Sequence, residues 1–290
     1  MAIRSLILCL ICCPLQALSA SQSVADDGSM ITITHYQSQS RYEFGHKLLV
    51  LALSKLKQPY AVNAFSDHHI NEARGEKMVI SGKFDIQWMS TSSFREEQMI
   101  PIKMPIYKGI LGLRLLLVKI RNKKHISQIR SLADLQKYTG GHGSHWGDLP
   151  VYKANKLPVH TNANYEPLFL QLANERFDYF HRGLNEIWKE KQRYDDLLAV
   201  ADNIMLFYPQ PVYFFVSKSN PRLADELETG LKLALKDGSY KKLFLEHHQN
   251  YIKKGNLKKR GLIQLVNPVL PINTPKIDTS WWLPVNVETL

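Results

Sequence analysis

The sequence predicts an α/β fold with mostly parallel strands, organised in two lobes. Three observations predict it. Strand-like and helix-like patterns alternate through most of the chain, an order that builds parallel sheets with helical connections. Two apolar extended runs, near 112–119 and 211–217, bracket the middle unit, which suggests a lobe inserted into another lobe with two crossings as a hinge. The chain has 290 residues, 44% of them hydrophobic, enough for a sizeable core and too apolar for wholesale disorder.

Residues 1–20, MAIRSLILCLICCPLQALSA, read as an address rather than as part of the fold. Arg4 precedes an apolar stretch at 5–15, and the small residues Ala17 and Ser19 fit a secretory cleavage after Ser19, with Ala20 nearly as good. Leu8, Ile11 and Cys12 stand where a lipid-anchoring signal needs small residues, so no lipoprotein is expected. Cys9, Cys12 and Cys13 are the three cysteines of the chain, and all lie in this segment. Cleavage therefore leaves a thiol-free protein, suited to an oxidising compartment, and lowers the formal net charge from +11 to +10.

Residues 30–34 alternate as a strand. Phe44, Leu48, Leu51, Ala52 and Leu56 form a helical stripe over 41–57. Strand 60–65, helix 71–81 and strand 84–88 follow, and after Pro105 comes the apolar run GILGLRLLLVKI at 109–120. The second unit reads as a helix near 126–136, a Gly-rich turn at 140–147 and a strand near Val159. It continues with a helix carrying Tyr165, Leu168, Phe169 and Leu172, a strand at 177–180 and a polar helix at 184–194. A strand at 211–216 precedes a helix striped by Leu223, Leu227, Leu231, Ala234 and Leu235. Prolines at 268, 271, 275 and 284 make the tail extended. The expected division is a signal at 1–20, a first lobe of 28–115 plus 214–255, an inserted lobe of 116–213, and a tail at 256–290 packed on the first lobe.

Ligands on such sheets bind beyond the carboxyl ends of the strands, and three segments fall there. In WMSTSSFRE at 88–96, Ser93 and Glu96 fit a capping box, which puts Arg95 in the first turn of a helix. The helix dipole disfavours a cation there unless it faces an anion, either a ligand gripped bidentately or a neighbouring Glu. In TGGHGSHWG at 139–147, glycines can bring backbone N–H groups up to an anion, or simply make a turn before a helix. It is neither GxGxxG nor a P-loop, and no cofactor is expected. In FDYFHRGLNE at 177–186, Arg182 ends a strand, as a ligand contact or as a solvated loop residue.

At these places the sequence resembles the type II periplasmic solute-binding proteins, specifically the polar amino acid-binding family of ABC importers, bacterial extracellular solute-binding protein family 3. Ser90, Ser92 and Arg95 followed by Ile102 and Pro105-Ile106-Tyr107 match its first-lobe pattern. Ser131-Leu132-Ala133-Asp134-Leu135 and Gly141-His142-Gly143-Ser144 match the opening of its second lobe, and Asn220-Pro221-Arg222-Leu223 with Asp237-Gly238-Ser239-Tyr240 its closing helices. The resemblance covers residues 30–250 and implies lobes that close on a solute. It implies a ligand-facing set of Tyr36, Trp88, Ser90, Ser92, Arg95, His142, Gly143, Ser144 and Arg182, with Arg95 holding a carboxylate, Ser90 and the Gly143–Ser144 turn donating, and Tyr36 as an aromatic wall. The chain departs from the family at Gln37–Ser40, where an aromatic-rich loop is usual, and at Arg182-Gly183, where an acid usually grips the ligand's ammonium. Two arginines without an obvious acid imply a small anionic or zwitterionic solute, more anionic than a free amino acid, or else a binding protein-like member that has lost transport. The partners expected are that solute and an ABC permease or sensor, with the protein monomeric.

Two other function classes are legible. An enzyme on the same fold, resembling cyclohexadienyl dehydratases, would need an acid–base group such as His142, His145 or Glu186. The basic clusters at 119–124 and 253–260 suit a polyanion or a membrane surface, and no nucleic-acid motif accompanies them. A metal site is not expected: His68-His69 and His247-His248 are adjacent pairs whose rings diverge, and HExxH is absent.

Overall fold

The computed structural model describes residues 29–66, 70 and 72–276. The segment expected to be a signal, the three cysteines, His68, His69 and the last 14 residues lie outside them. Strand β1 (Ile31–His35), helix α1 (Glu43–Leu53), β2 (Tyr60–Ala64), α2 (Glu72–Ile80) and β3 (Ile86–Ser90) appear in the expected order. A short α3 (Ser93–Gln98) and β4 (Ile100–Ile102) follow, and β5 (Leu113–Lys119) opens the second lobe. That lobe continues through α4 (Lys123–Ile126), α5 (Leu132–Leu135), β6 (Gly140–Gly143), α6 (Leu149–Ala154), β7 (Val159–Asn162) and α7 (Tyr165–Ala173). Next come β8 (Tyr179–Gly183), α8 (Ile187–Gln192), β9 (Leu198–Val200) and β10 (Ile204–Phe207). The chain then returns through β11 (Val212–Val216) to α9 (Pro221–Lys236) and α10 (Ser239–Gly255), and ends in β12 (Gly261–Gln264).

The first lobe holds the parallel pair β1–β2 and the sheet β3-β11-β4, and the second a sheet ordered β12-β10-β5-β8-β6-β7 with β9 on β5. Every antiparallel pairing among the described residues involves β5 or β11, and all the others are parallel. The physical reason is connectivity: β5 and β11 carry the chain out of one lobe and back, whereas the remaining strands are joined by helical crossovers. Both are buried on two faces. Leu113, Leu115 and Leu117 of β5 pack into one core cluster and Leu116 and Val118 into another, which is why the run reads as continuously apolar.

The crossings touch. Tyr208 N donates to the Gly112 carbonyl at 3.2 Å, and a Cβ on Gly112 would lie 2.1 Å from the Tyr208 carbonyl oxygen. Glycine is therefore required by close approach of two backbones, not by a turn. A third crossing follows α10, because β12 pairs in parallel with β10 of the second sheet.

Three sequence expectations change. The helix at 126–136 is two four-residue helices, because Ser131 accepts a hydrogen bond from the Asp134 N–H (3.1 Å) and restarts the helix there. The Gly-rich turn is largely strand β6, its glycines replaced by aromatic volume: a Cβ on Gly140, Gly141 or Gly143 would strike Tyr179, Phe177 or Trp146 respectively. The tail does not pack on the first lobe at its start. Residues 261–267 follow the second lobe, with Val266 N donating to Asn155 Oδ1 (3.0 Å) and Asn267 Nδ2 to the Pro209 carbonyl (2.8 Å), before Lys103 of the first lobe meets the Asn273 carbonyl (3.2 Å).

Gly112→Ala is expected to lower unfolding free energy by about 2 kcal/mol or more, the cost of overpacking against backbone. Urea denaturation checks this, and a neutral result would refute the contact.

Candidate functional site

In the first lobe, β1 and β3 are sewn together beyond their ends. Gln37 Nε2 donates to the Trp88 carbonyl (2.9 Å) and Trp88 N donates to Gln37 Oε1 (2.8 Å), so one side-chain amide stands in for a missing strand residue. Beneath it Trp88 is 2% exposed, edge-on to His35 and Phe214. Tyr36 is buried as well, its ring over Gly75 and its hydroxyl donating to Gln87 Oε1 (2.9 Å). Both are core walls rather than ligand walls.

Helix α3 is capped by Ser92, one residue earlier than expected: its hydroxyl accepts from Arg95 N at 3.3 Å. Glu96 is released from the expected capping box and accepts from the Thr91 hydroxyl (2.7 Å). Arg95 does lie in the first turn. Its Nε donates to Glu76 Oε2 (2.5 Å) and its Nη1 to the Ser90 carbonyl (2.8 Å), while Nη2 has no partner among the described residues. The Arg95 side chain is 24% exposed, close in sequence to the half-buried Ser90 and Ser92.

The second-lobe candidates behave differently. Alternation along β8 puts Arg182 on the face of Phe180, and the side chain turns inward. Its Nε reaches both Glu190 oxygens (3.0 and 2.8 Å), its Nη2 reaches Glu190 Oε1 (2.7 Å), and the guanidinium lies 4.9 Å from the Trp146 ring centroid. Only 6% of Arg182 is exposed, so it is an internal ion pair and not a solvated loop residue. His142 is fully buried against Trp146, Tyr152 and His181, with Nδ1 on the Gly143 carbonyl (2.8 Å) and Nε2 3.3 Å from Asp148 Oδ1. Gly143 is closed off by the Trp146 ring, whereas Ser144 is half-buried, its N–H on the Asn162 carbonyl (3.0 Å).

The absence of an acid is also corrected. Glu186, just beyond β8, accepts from Gly183 N (3.1 Å) and sits 3.1 Å from Arg182 Nη2 and 3.7 Å from Arg114 Nη1, all through Oε2. Its side chain is 36% exposed, and Oε1 has no partner among the described residues. Burial pushes its carboxyl up, but Arg182 and Arg114 outweigh that and hold it below the usual glutamate range. Sequence reasoning had one usable signal here: Glu186 and Glu190 stand four and eight residues after Arg182. Glu76 offered none, being 19 residues from Arg95 on another helix.

Tyr36, Trp88, Ser90, Ser92 and Arg95 thus form one group and His142, Gly143, Ser144 and Arg182 another, with no hydrogen bond, ion pair or ring interaction joining the two groups among the described residues. Two surface grooves, of about 480 and 540 Å³, lie elsewhere on the second lobe and contain none of these side chains. Among the described residues no set of three His, Cys, Asp or Glu is placed to hold a metal ion, and no helix is long and apolar enough to cross a membrane.

His35, at the end of β1, has a defined tautomer. Gln37 N donates to its Nδ1 (3.1 Å), so the proton is on Nε2, which donates to His46 Nδ1 (2.9 Å). Burial, and secondarily the neighbouring His46, lower its pKa to about 4. The unfolded chain takes up this proton near pH 6.5 and the folded chain only near 4. Stability is therefore full above about 6.5, declines by on the order of 1.4 kcal/mol per pH unit between these values, and levels off below. An NMR titration of the His35 ring is expected to stay flat above pH 5; a midpoint near 6.5 would contradict the assignment. Separately, Arg182→Met strands Glu190 and is expected to cost roughly 3–5 kcal/mol, much of it recovered in Arg182→Met/Glu190→Leu. Equal stability of wild type and the single variant in urea would remove Arg182 from the core.

No family profile matches the chain, and no curated protein matches it by sequence. Solved structures do. The probable amino-acid ABC transporter extracellular-binding protein YtmK of Bacillus subtilis superposes with a TM-score of 0.58 at 17% identity, over 76% of this chain and 97% of that one. A Salmonella typhimurium periplasmic binding protein of high arginine specificity gives 0.53 at 15% identity, over 75% and 98%. An ancestral amino acid-binding protein, a precursor of cyclohexadienyl dehydratase, gives 0.50 at 18%, over 75% and 95%. At these identities the likeness establishes the fold, that of the two-lobed periplasmic binding proteins.

Proposed function

We propose that the chain is an exported solute-binding protein that captures a small amino acid-like solute between its lobes, for an ABC importer or a sensor. The observation that carries the reading is Arg95, held by Glu76 and the Ser90 carbonyl in the first turn of α3 while its Nη2 remains unengaged. A solute carboxylate would take that nitrogen, beside the Ser90 and Ser92 side chains and, from the second lobe, Ser144. Glu186 Oε1 would take the solute's ammonium. The acid that Arg182-Gly183 removed from its usual place is thus supplied three residues later, and the favoured solute is zwitterionic rather than strongly anionic.

The roles of the fold neighbours, a probable amino-acid ABC transporter binding protein and an arginine-specific periplasmic binding protein, support the same class. Residues 1–20 are proposed as the cleaved signal and the periplasm as the location. Residues 28–112 with 212–255 are proposed as the first lobe, and 113–211 with 257–267 as the second. Of the three acid–base candidates for an enzyme, His142 is fully buried, His145 is exposed and Glu186 is engaged by Arg182 and Arg114.

Binding that favours the closed form shifts the population of lobes and stabilises the fold. A thermal-shift screen of amino acids, peptides and carboxylates is expected to find a solute whose effect grows with concentration. At a hundredfold excess over Kd the gain is about 2.7 kcal/mol, or roughly 5–10 °C in a chain of this size. Arg95→Ala and Glu186→Gln should each abolish the shift while remaining folded. A panel-wide null, or full binding by Arg95→Ala, would sink the assignment.

A further inference from the structure

We propose that the second lobe carries a surface for the phosphate headgroups of an anionic lipid bilayer, centred on a basic groove beside α4. The groove, of about 480 Å³, is lined by Arg121, Lys123, Lys124, Arg130, Asp202 and Asn203 among others, with Asp202 its one acid. Lys123 is paired with Asp202 (2.9 Å) and Arg121 with Glu175. Lys124 and Arg130 are exposed. Arg130 is fixed by Nη1 on the Ser127 and Ile129 carbonyls (2.6 and 2.9 Å), which leaves the rest of its guanidinium to face an anion.

A second basic cluster, more than a hundred residues away in sequence, arrives at the same loop. Arg260 Nη1 donates to the Ala201 and Ile204 carbonyls (2.6 and 3.0 Å), and Gly261 N donates to Asn203 O (2.9 Å). The exposed Lys258 and Lys259 are thereby carried to the loop that walls the groove. Two basic clusters that look unrelated in the sequence become neighbours.

What selects a bilayer among anions is apolar. Ile120 at the groove's edge and Leu197 beside it are 46% and 45% exposed and are joined by a backbone hydrogen bond of 3.1 Å. Free phosphate gains nothing from such a pair, a single-stranded nucleic acid would call for aromatic rings, none of which lines the groove, and a duplex has no use for exposed aliphatic side chains. A bilayer uses both: phosphates meet the cations while Ile120 and Leu197 enter the headgroup boundary. Asp196, next to Leu197, is the opposing charge on this rim.

The test is co-sedimentation of the purified, processed protein with vesicles of phosphatidylcholine alone or with 30% phosphatidylglycerol (about one anionic lipid in three, a typical anionic surface). Binding is expected only to the anionic vesicles and to weaken at high salt. Lys124→Glu/Arg130→Gln should weaken it by about tenfold or more, since each cation near the surface contributes about a fivefold effect. Ile120→Ser/Leu197→Ser should weaken it without changing the salt dependence. Circular dichroism confirms that both variants fold. Equal binding to both vesicle types, or undiminished binding by Lys124→Glu/Arg130→Gln, overturns the proposal. So does calorimetric binding of inorganic phosphate, or capture of a short DNA duplex, without vesicle binding. The amino acid screen is unaffected by these variants, so this proposal and the solute-binding reading fail independently.

Discussion

Arg114 is the charge on which the second lobe is assembled. It stands at the start of β5, on the face of Leu116 and Val118, and is 7% exposed. A guanidinium so placed must find its partners inside, since an unpaired buried charge costs several kcal/mol. Nε donates to the Tyr208 hydroxyl (2.8 Å), and Nη2 to Asp148 Oδ2 (2.8 Å) and Gln210 Oε1 (3.0 Å). Tyr208 in turn donates to the same Asp148 oxygen (2.6 Å). Burial raises the Asp148 carboxyl, but Arg114 and then His142 pull it well below the usual carboxylate range. Tyr208 and Gln210 belong to the return crossing and Arg114 follows the outgoing one. A single ion-pair network therefore joins the hinge to the loop before α6 and, through Glu186, to the turn after β8.

The same cancellation recurs at two further arginines. Arg182 is neutralised by Glu190 and Arg95 by Glu76. For the solute proposed above, what these pairs leave available is one end of the Arg95 guanidinium and one oxygen of Glu186. In the proposed site, that combination would suit a zwitterion although the chain is strongly basic. A solute carboxylate must share Arg95 with Glu76, so its gain is the difference between two charge-assisted contacts rather than the whole of one.

Much of the fold was legible because its signals are local. Alternation fixed β1 to β3, the Leu223 to Ala234 stripe and the Asn220–Pro221 start fixed α9, and the apolar runs located β5 and β11. Short strands such as β4, β9 and β12 were not legible, because three or four residues carry no period and their pairing partners are distant. The site was less legible for a related reason. Whether an arginine faces solvent or core depends on which acid the fold brings to it, as Glu190 shows for Arg182. Arg114 was the exception that could have been found, since a lone cation inside an apolar run demands a buried acid. The glycines of β6 pointed to backbone–ligand approach, but the same lack of Cβ serves ring packing equally well.

The third crossing limits how the lobes can move. Rotation about two strands is a simple hinge, but here the segment from α10 to β12 must bend with it. Arg260 ties that segment down on both sides, Nε on the Gly255 carbonyl (2.6 Å) and Nη1 on Ala201 and Ile204. Asn256 sits between them in the left-handed region (φ 47°), a conformation that shifts only by leaving a well-defined basin. Opening by a large angle would break the Arg260 bonds or unpair β12 from β10, each a cost of several hydrogen bonds. Small rotations, absorbed in the backbone around Gly112 and residues 208–211, break none of them. Because the Arg114 network already spans those two segments, the inexpensive motion is one that leaves the second lobe rigid and swings α3, with Arg95, relative to Glu186.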